Sequence, residues 1–356
     1  MTSTNPMMSI KWIRSLIVAL GVGLATASMA SPPLPSFNID ETAVSVSGVS
    51  SGGYLAQQFH VAYSATVMGA AIIAAGPYLC AGKGYPWNLW RVLNHCMDAD
   101  DLLPFLGPPA VQDSIQMTLE EADHGRIDGP INLQNDKVYL FSGTHDETVP
   151  AAVMNALYGY YQEFVDASNI SYVNDIAAGH GMITDDAGNV SCEVTEAPFI
   201  NDCDYDTAGA LFTHIYGDLL SSTGEWENES LLAFDQGEFS TDIQSASFNN
   251  TGYVYVPERC RSGQRCRLHV AFHGCRQHVS AIGDTFYKQA GYNEWAQAND
   301  IIVLYPQAAP RGSAFFPWPN PRGCWDWWGY TGTDFYHQGG VQLSAVKAMI
   351  DRLMGL

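Results

Sequence analysis

Positive charge is scarce in this 356-residue chain: 16 Lys and Arg stand against 37 Asp and Glu, a formal net charge of −21. Nucleic acid and anionic lipid both require a basic surface, so neither is an expected partner, and a neutral substrate suits the chain better. The same acidity also serves plain solubility and therefore selects no function by itself. C-x-x-C is absent. No stretch reaches the roughly 20 apolar residues that a spanning helix needs, so no transmembrane segment and no membrane partner are expected of the mature chain. Pro/Thr/Ser-rich or Gly-rich linkers and internal repeats are also missing. Residues 31–356 are therefore expected to form one domain.

What is present begins with an export signature over residues 1–30. Lys11 and Arg14 supply a positive start, Ser15 to Ala25 an apolar stretch, and Ser28-Met29-Ala30 a small-residue cleavage site. The mature chain is thus expected outside the cytoplasm, extracellular or periplasmic. In that oxidising setting the eight cysteines favour disulfides over metal ligation or redox catalysis. Close spacing suggests Cys80 with Cys96, Cys192 with Cys203 and Cys260 with Cys266, leaving Cys275 and Cys324 as a long-range pair; spacing alone does not decide the connectivity.

Gly48-Val49-Ser50-Ser51-Gly52 follows a β-branched run, Thr42 to Val46, and precedes a helix-like run, Tyr54 to Tyr63. A G-x-S-x-G between strand and helix is the setting of a nucleophile elbow, in which the glycines remove Cβ atoms that would collide and the serine hydroxyl is left exposed at the sheet edge. Ser50 is the candidate nucleophile.

Downstream, the β-rich run Lys137 to Ser142 ends at Gly143-Thr144-His145-Asp146, with helix-like composition from Val149 to Val165. A carboxylate on a loop just past a strand is where an α/β-hydrolase keeps its triad acid, which makes Asp146 the candidate; an exposed turn aspartate or helix N-cap is the other reading. A further short strand, Ile170 to Ile176, leads into Gly179-His180-Gly181, a side-chain-poor, flexible place from which an imidazole reaches a serine. His180 is the candidate general base, with Asp146 fixing its tautomer. The chain order serine, acid, histidine is that of the α/β-hydrolase fold. His269 and His273 flank a strand, but no carboxylate or cysteine set completes a zinc site around them, so no metal and no cofactor are expected.

An acyl-transfer site also needs oxyanion donors, usually the amide after the nucleophile and one from the loop after an earlier strand. Ser51 supplies the first. Almost nothing precedes the nucleophile strand to supply the second, but Cys266 to Phe272 followed by His273-Gly274-Cys275 fits it near the other end. Thr251 to Pro257 and Cys266 to Phe272 read as paired strands, Ile301 to Tyr305 as the next, and Gly340 to Leu353 as the helix that ordinarily feeds the nucleophile strand. The expectation is an α/β architecture: a circularly permuted, single-domain α/β-hydrolase fold, mostly parallel sheet flanked by helices, with Cys275 N–H as second donor.

These pieces, together with Asn320-Pro321-Arg322-Gly323-Cys324-Trp325-Asp326-Trp327, span nearly the whole mature chain. They resemble the extracellular poly(3-hydroxybutyrate) depolymerases in their circularly permuted single-domain form. The resemblance implies Ser50, Asp146 and His180 as triad and Ser51 and Cys275 as oxyanion hole. Many members carry a linker and a substrate-binding domain, neither of which is present here, so adsorption to a polyester would rest on this domain. Trp325, Trp327, Trp328 and Tyr330, with Phe315, Phe316 and Trp318 nearby, are candidate substrate-binding residues, with several of them alternatively core. The expected function is a secreted, monomeric serine esterase acting on a polyester or its oligomers. The alternatives are an esterase for small or plant cell-wall esters (feruloyl, acetyl) and a catalytically silent binding protein on the same scaffold.

Overall fold

The computed structural model describes residues 1–2, 31–98, 105–312 and 320–356; the export signature lies outside them. Ser31–Leu356 cluster as one compact unit. Its strands, in chain order, are β1 (Ile39–Val49), β2 (Gly69–Ile73), β3 (Lys137–Phe141), β4 (Ile170–Val173), β5 (Met182–Thr184), β6 (Val190–Ser191), β7 (Ile200–Asp202), β8 (Leu231–Asp235), β9 (Thr251–Tyr255), β10 (Cys266–Phe272) and β11 (Ile301–Tyr305). The helices that matter below are α1 (Ser51–Ala62), α2 (Val111–Asp123), α3 (Ala151–Phe164), α4 (Thr207–Tyr216), α5 (Tyr292–Asn299) and α6 (Val341–Met354).

Among the described residues eight strands form one sheet in the order β4-β3-β2-β1-β10-β11-β9-β8. All neighbouring pairs are parallel except those made by β9, which runs antiparallel to both β11 and β8. Alternation along each strand divides the apolar side chains between two faces. Val44, Val46, Ile72, Leu140 and Leu268 pack with α1, α3 and α6, whereas Ile73, Tyr139, Phe141, Ala271 and Val303 pack with α4 and α5. On that second face β1 places two buried hydroxyls. Ser45 and Ser47 bond the two ring nitrogens of His269 at 2.6 and 2.7 Å, and Ser47 also meets Tyr292. Buried polar groups are costly unless so paired, and burial pushes the His269 pKa down to about 3, which keeps the ring neutral.

The chain begins in the sheet's centre at β1, moves outward to β4, crosses to the opposite edge at β8 and returns to the centre at β10. Reading instead from β8 through α6 and then into β1 restores the usual hydrolase order, and Phe37 N–H donates to Leu353 O at 2.8 Å where α6 meets the approach to β1. The fold is the circularly permuted α/β-hydrolase. The strand pairing expected between Thr251–Pro257 and Cys266–Phe272 is corrected: β11 lies between β9 and β10. A run's composition fixes that it is a strand but not its neighbour. The outer edge strand β8 was not anticipated, because only Phe234 of its five residues is fully buried. Four disulfides join Cys80–Cys96, Cys192–Cys203, Cys260–Cys266 and Cys275–Cys324. Among the described residues no helix is long and apolar enough to cross a membrane.

Candidate active site

β1, β3, β4 and β10 are parallel neighbours or near neighbours, so the loops at their carboxyl ends emerge along one edge, the usual place for ligands in open α/β sheets. Ser50 follows β1 directly and adopts φ 57°, ψ −124°, a strained conformation for a residue with a Cβ. It is half-buried, whereas every residue of α1 behind it is buried. The glycines make the turn possible. A Cβ on Gly48 would lie 2.1 Å from Gly52 O, and one on Gly52 would lie 2.3 Å from Phe272 O and 2.5 Å from His273 O. Gly52 thus lets the start of α1 press against the end of β10. Ser51 is the first residue of α1, where backbone N–H groups have no partner within the helix.

Asp146 and His180 arrive from the ends of β3 and β4. His180 Nδ1 is 2.8 Å from Asp146 Oδ2, and Oδ1 of the same carboxylate accepts from the amides of Thr148 and Val149 at 2.9 and 2.8 Å. Both side chains are nearly buried. The two loops are tied together by Thr144 N–H to Ile176 O and His145 N–H to Ala178 O, and a Cβ on Gly143 would lie 2.1 Å from Ala178 O. The His180 loop is not the flexible place expected. Cβ atoms on Gly179 and Gly181 would meet Val194 O at 2.5 Å and Asn201 Oδ1 at 2.4 Å, so both glycines serve close packing against the small β5-β7-β6 sheet. Thr195 Oγ1 accepts from the His180 amide, and Cys192–Cys203 holds the sheet's margin.

Past β10, the loop carrying Cys275 is held by two side chains. Gln277 Oε1 accepts from Gly274 N–H at 2.7 Å, while its Nε2 donates to Pro198 O and Phe199 O. His273 Nε2 accepts from the Ala308 amide, which leaves the proton on Nδ1, and that nitrogen donates to Gly274 O at 2.7 Å. Burial pushes the His273 pKa down to about 3, so the ring keeps this neutral tautomer. Because the peptide is planar and trans, fixing Gly274 O on one side turns Cys275 N–H to the other. A cavity of about 600 Å³ opens there, lined among others by Ser50, Met97, His180, Phe199, Cys275 and Arg276. The site therefore holds a serine, a carboxylate-oriented imidazole and candidate amide donors together. Among the described residues no three His, Cys, Asp or Glu side chains gather as a metal set.

No family profile matches the chain. It is 40% identical to a poly(3-hydroxybutyrate) depolymerase of Delftia acidovorans over 97% of its own length and 67% of that protein's. It is also 38% identical to a polyhydroxybutyrate depolymerase of Talaromyces funiculosus, covering 96% of this chain and 98% of that one. The chain belongs to the poly(3-hydroxybutyrate) depolymerase family. Two solved structures agree, each with TM-score 0.79 and 37% identity over 91% of this chain and 99% of the other. One is the PHB depolymerase from Penicillium funiculosum, and the other is a PHB depolymerase with a serine-to-alanine substitution, complexed with an R3HB trimer.

Within this depolymerase-family fold the expected aromatic surface is largely corrected. Trp325, Trp327 and Tyr330 are 0%, 4% and 6% exposed. Trp325 packs edge-on against Phe248 and Phe272, Trp327 stacks on Tyr54 at 4.0 Å, and the Tyr330 hydroxyl donates to Cys324 O. These rings are core and present no face to a solid; Trp328 is half-buried. Phe315, Phe316 and Trp318 lie outside the described residues. Exposed apolar surface appears elsewhere, at Trp87 (84%), Trp90 (51%), Leu93 (40%) and Leu106 (61%), on the excursion that leaves β2 and also carries Met97 into the cavity wall. Their sequence signal was weak, since Trp90 and Leu93 lie in a helix of only six residues. His273 and Gln277 were likewise missed as supports of the Cys275 loop.

Proposed function

We propose that the chain is a secreted serine esterase that hydrolyses ester bonds of poly(3-hydroxybutyrate) or related short-chain polyhydroxyalkanoates and their oligomers, with residues 1–30 as export signal and 31–356 as catalytic domain. Ser50 Oγ attacks the ester carbonyl while His180 Nε2 accepts its proton, and Asp146 stabilises the resulting imidazolium. The amides of Ser51 and Cys275 receive the oxyanion. Collapse expels the alcohol, which takes the proton from His180, and leaves an acyl group on Ser50. Water, deprotonated by His180, then releases the acid and restores the serine. No cofactor enters. The carrying observation is the shared cavity of Ser50, His180 and Cys275 with Asp146 bonded to the imidazole behind it. Four disulfides support an oxidising, exported setting.

Adsorption to the solid is assigned to the exposed side chains of Trp87, Trp90, Leu93 and Leu106, since exposed apolar surface of this kind marks contact sites. The test compares polymer with soluble substrate. The wild-type chain is expected to clear a polymer suspension and to cleave hydroxybutyrate oligomers. A Trp87→Ala/Trp90→Ala variant is expected to clear the suspension at least several-fold more slowly while cleaving the soluble trimer at the wild-type rate. A wild-type chain that turns over feruloyl or acetyl esters but leaves polymer and oligomer intact overturns the proposed substrate, and equal clearing by the double variant overturns the adsorption surface.

A further inference from the structure

Arg276 is an unpaired cation beside the proposed oxyanion site. It follows Cys275, adopts φ 64° and is exposed on the cavity wall. Among the described residues its guanidinium makes no ion pair, side-chain hydrogen bond or ring contact, although carboxylates outnumber cations more than two to one in the chain. Lys83, Arg126, Arg259, Arg265, Lys288 and Arg352, by contrast, each have a carboxylate partner. The backbone holds Arg276 in place. Its amide donates to Arg322 O at 2.8 Å, Cys275 is bridged to Cys324, and Arg322 lines the same wall. A residue with a Cβ held in the left-handed region, with an uncommitted charge on a cavity wall, points to a ligand for that charge.

We infer that Arg276 binds the terminal carboxylate of short 3-hydroxyalkanoate oligomers and so directs cleavage to ester bonds near the carboxyl end. This rests on the proposed esterase reading and concerns which bond is chosen. In an oligomer of a 3-hydroxy acid the free carboxylate always lies on the leaving-alcohol side of the bond being cut, and the acyl side ends in a neutral hydroxyl. A planar guanidinium pairs with a carboxylate through two parallel hydrogen bonds. The same lining also holds a group of opposite character, Glu196, and beyond Thr148 and Thr195 an adjoining open groove carries Asp98, Glu147 and Glu193, with His145 near Glu193. An anionic end is repelled there, so the substrate's direction is set by both charges.

The experiment measures KM for the (R)-3-hydroxybutyrate trimer as free acid and as methyl ester, in the wild type and in Arg276→Gln and Arg276→Glu. The ratio of the two KM values, acid over ester, is expected to rise about fivefold in Arg276→Gln, within the range of an exposed ion pair, and further in Arg276→Glu. In the wild type, added salt should raise KM for the acid but not for the ester, and a trimer labelled in its carboxyl-terminal unit should release labelled monomer first. An unchanged ratio, or a first product from the hydroxyl end, overturns the inference. A wild type that hydrolyses neither trimer overturns the esterase reading instead.

Discussion

Ser50→Ala is expected to lower kcat on soluble hydroxybutyrate oligomers by about a million-fold, the scale seen when a triad nucleophile is removed. Ser50 is half-buried, and its turn is held by its own backbone: the amide donates to Ile73 O and the carbonyl accepts from Tyr54 N–H, both at 2.9 Å. Alanine keeps those bonds and the Cβ, so it accepts φ 57° about as well as serine does. The thermal midpoint should therefore stay at the wild-type value while turnover vanishes. A folded Ser50→Ala protein with kcat within tenfold of the wild type would remove Ser50 from the chemistry.

The second large effect belongs to Asp146→Asn, expected to reduce kcat by about ten-thousand-fold with the fold retained. Oδ1 of Asp146 accepts from two backbone amides and Oδ2 faces His180 Nδ1. An asparagine must keep its carbonyl oxygen on the two amides, because turning the NH2 group toward them would set donor against donor. The NH2 then faces His180 Nδ1, which becomes an acceptor, and the ring proton moves to Nε2. That nitrogen no longer takes the Ser50 proton. Asp146→Ala, which also strips the Thr148 and Val149 amides of their acceptor, should lose stability as well as activity. Steady-state kinetics with parallel melting curves separate the two variants, and near-normal turnover by Asp146→Asn would contradict the assigned role.

The parts of the molecule most legible in the sequence are those where backbone geometry forces residue choice. Gly48 and Gly52 are read off directly because their Cβ positions are filled by neighbouring backbone. The permuted order was readable because the strand, His273-Gly274-Cys275 and the final helix come in a fixed order that only the chain ends displace. What stayed hidden depends on partners distant in sequence. Gly179 and Gly181 suggested mobility around His180, and only the packed β5-β7-β6 sheet shows that they serve close contact. Trp325, Trp327 and Tyr330 form a dense aromatic run that reads equally as surface or core, and burial decides for core. Gln277 gave no signal, since its bonds reach Pro198 and Phe199 some eighty residues earlier. Trp87 and Trp90 lacked any pattern that separates an exposed ring from a packed one.

Labelling with a fluorophosphonate followed by peptide mapping tests most directly whether Ser50 is an activated nucleophile in a shared site. One phosphonyl group per chain is expected, on Ser50, slowed when saturating hydroxybutyrate trimer is present during labelling and absent in the Asp146→Asn variant over the same interval. Label on a different residue, or an active wild-type enzyme that takes up none, would contradict the mechanism.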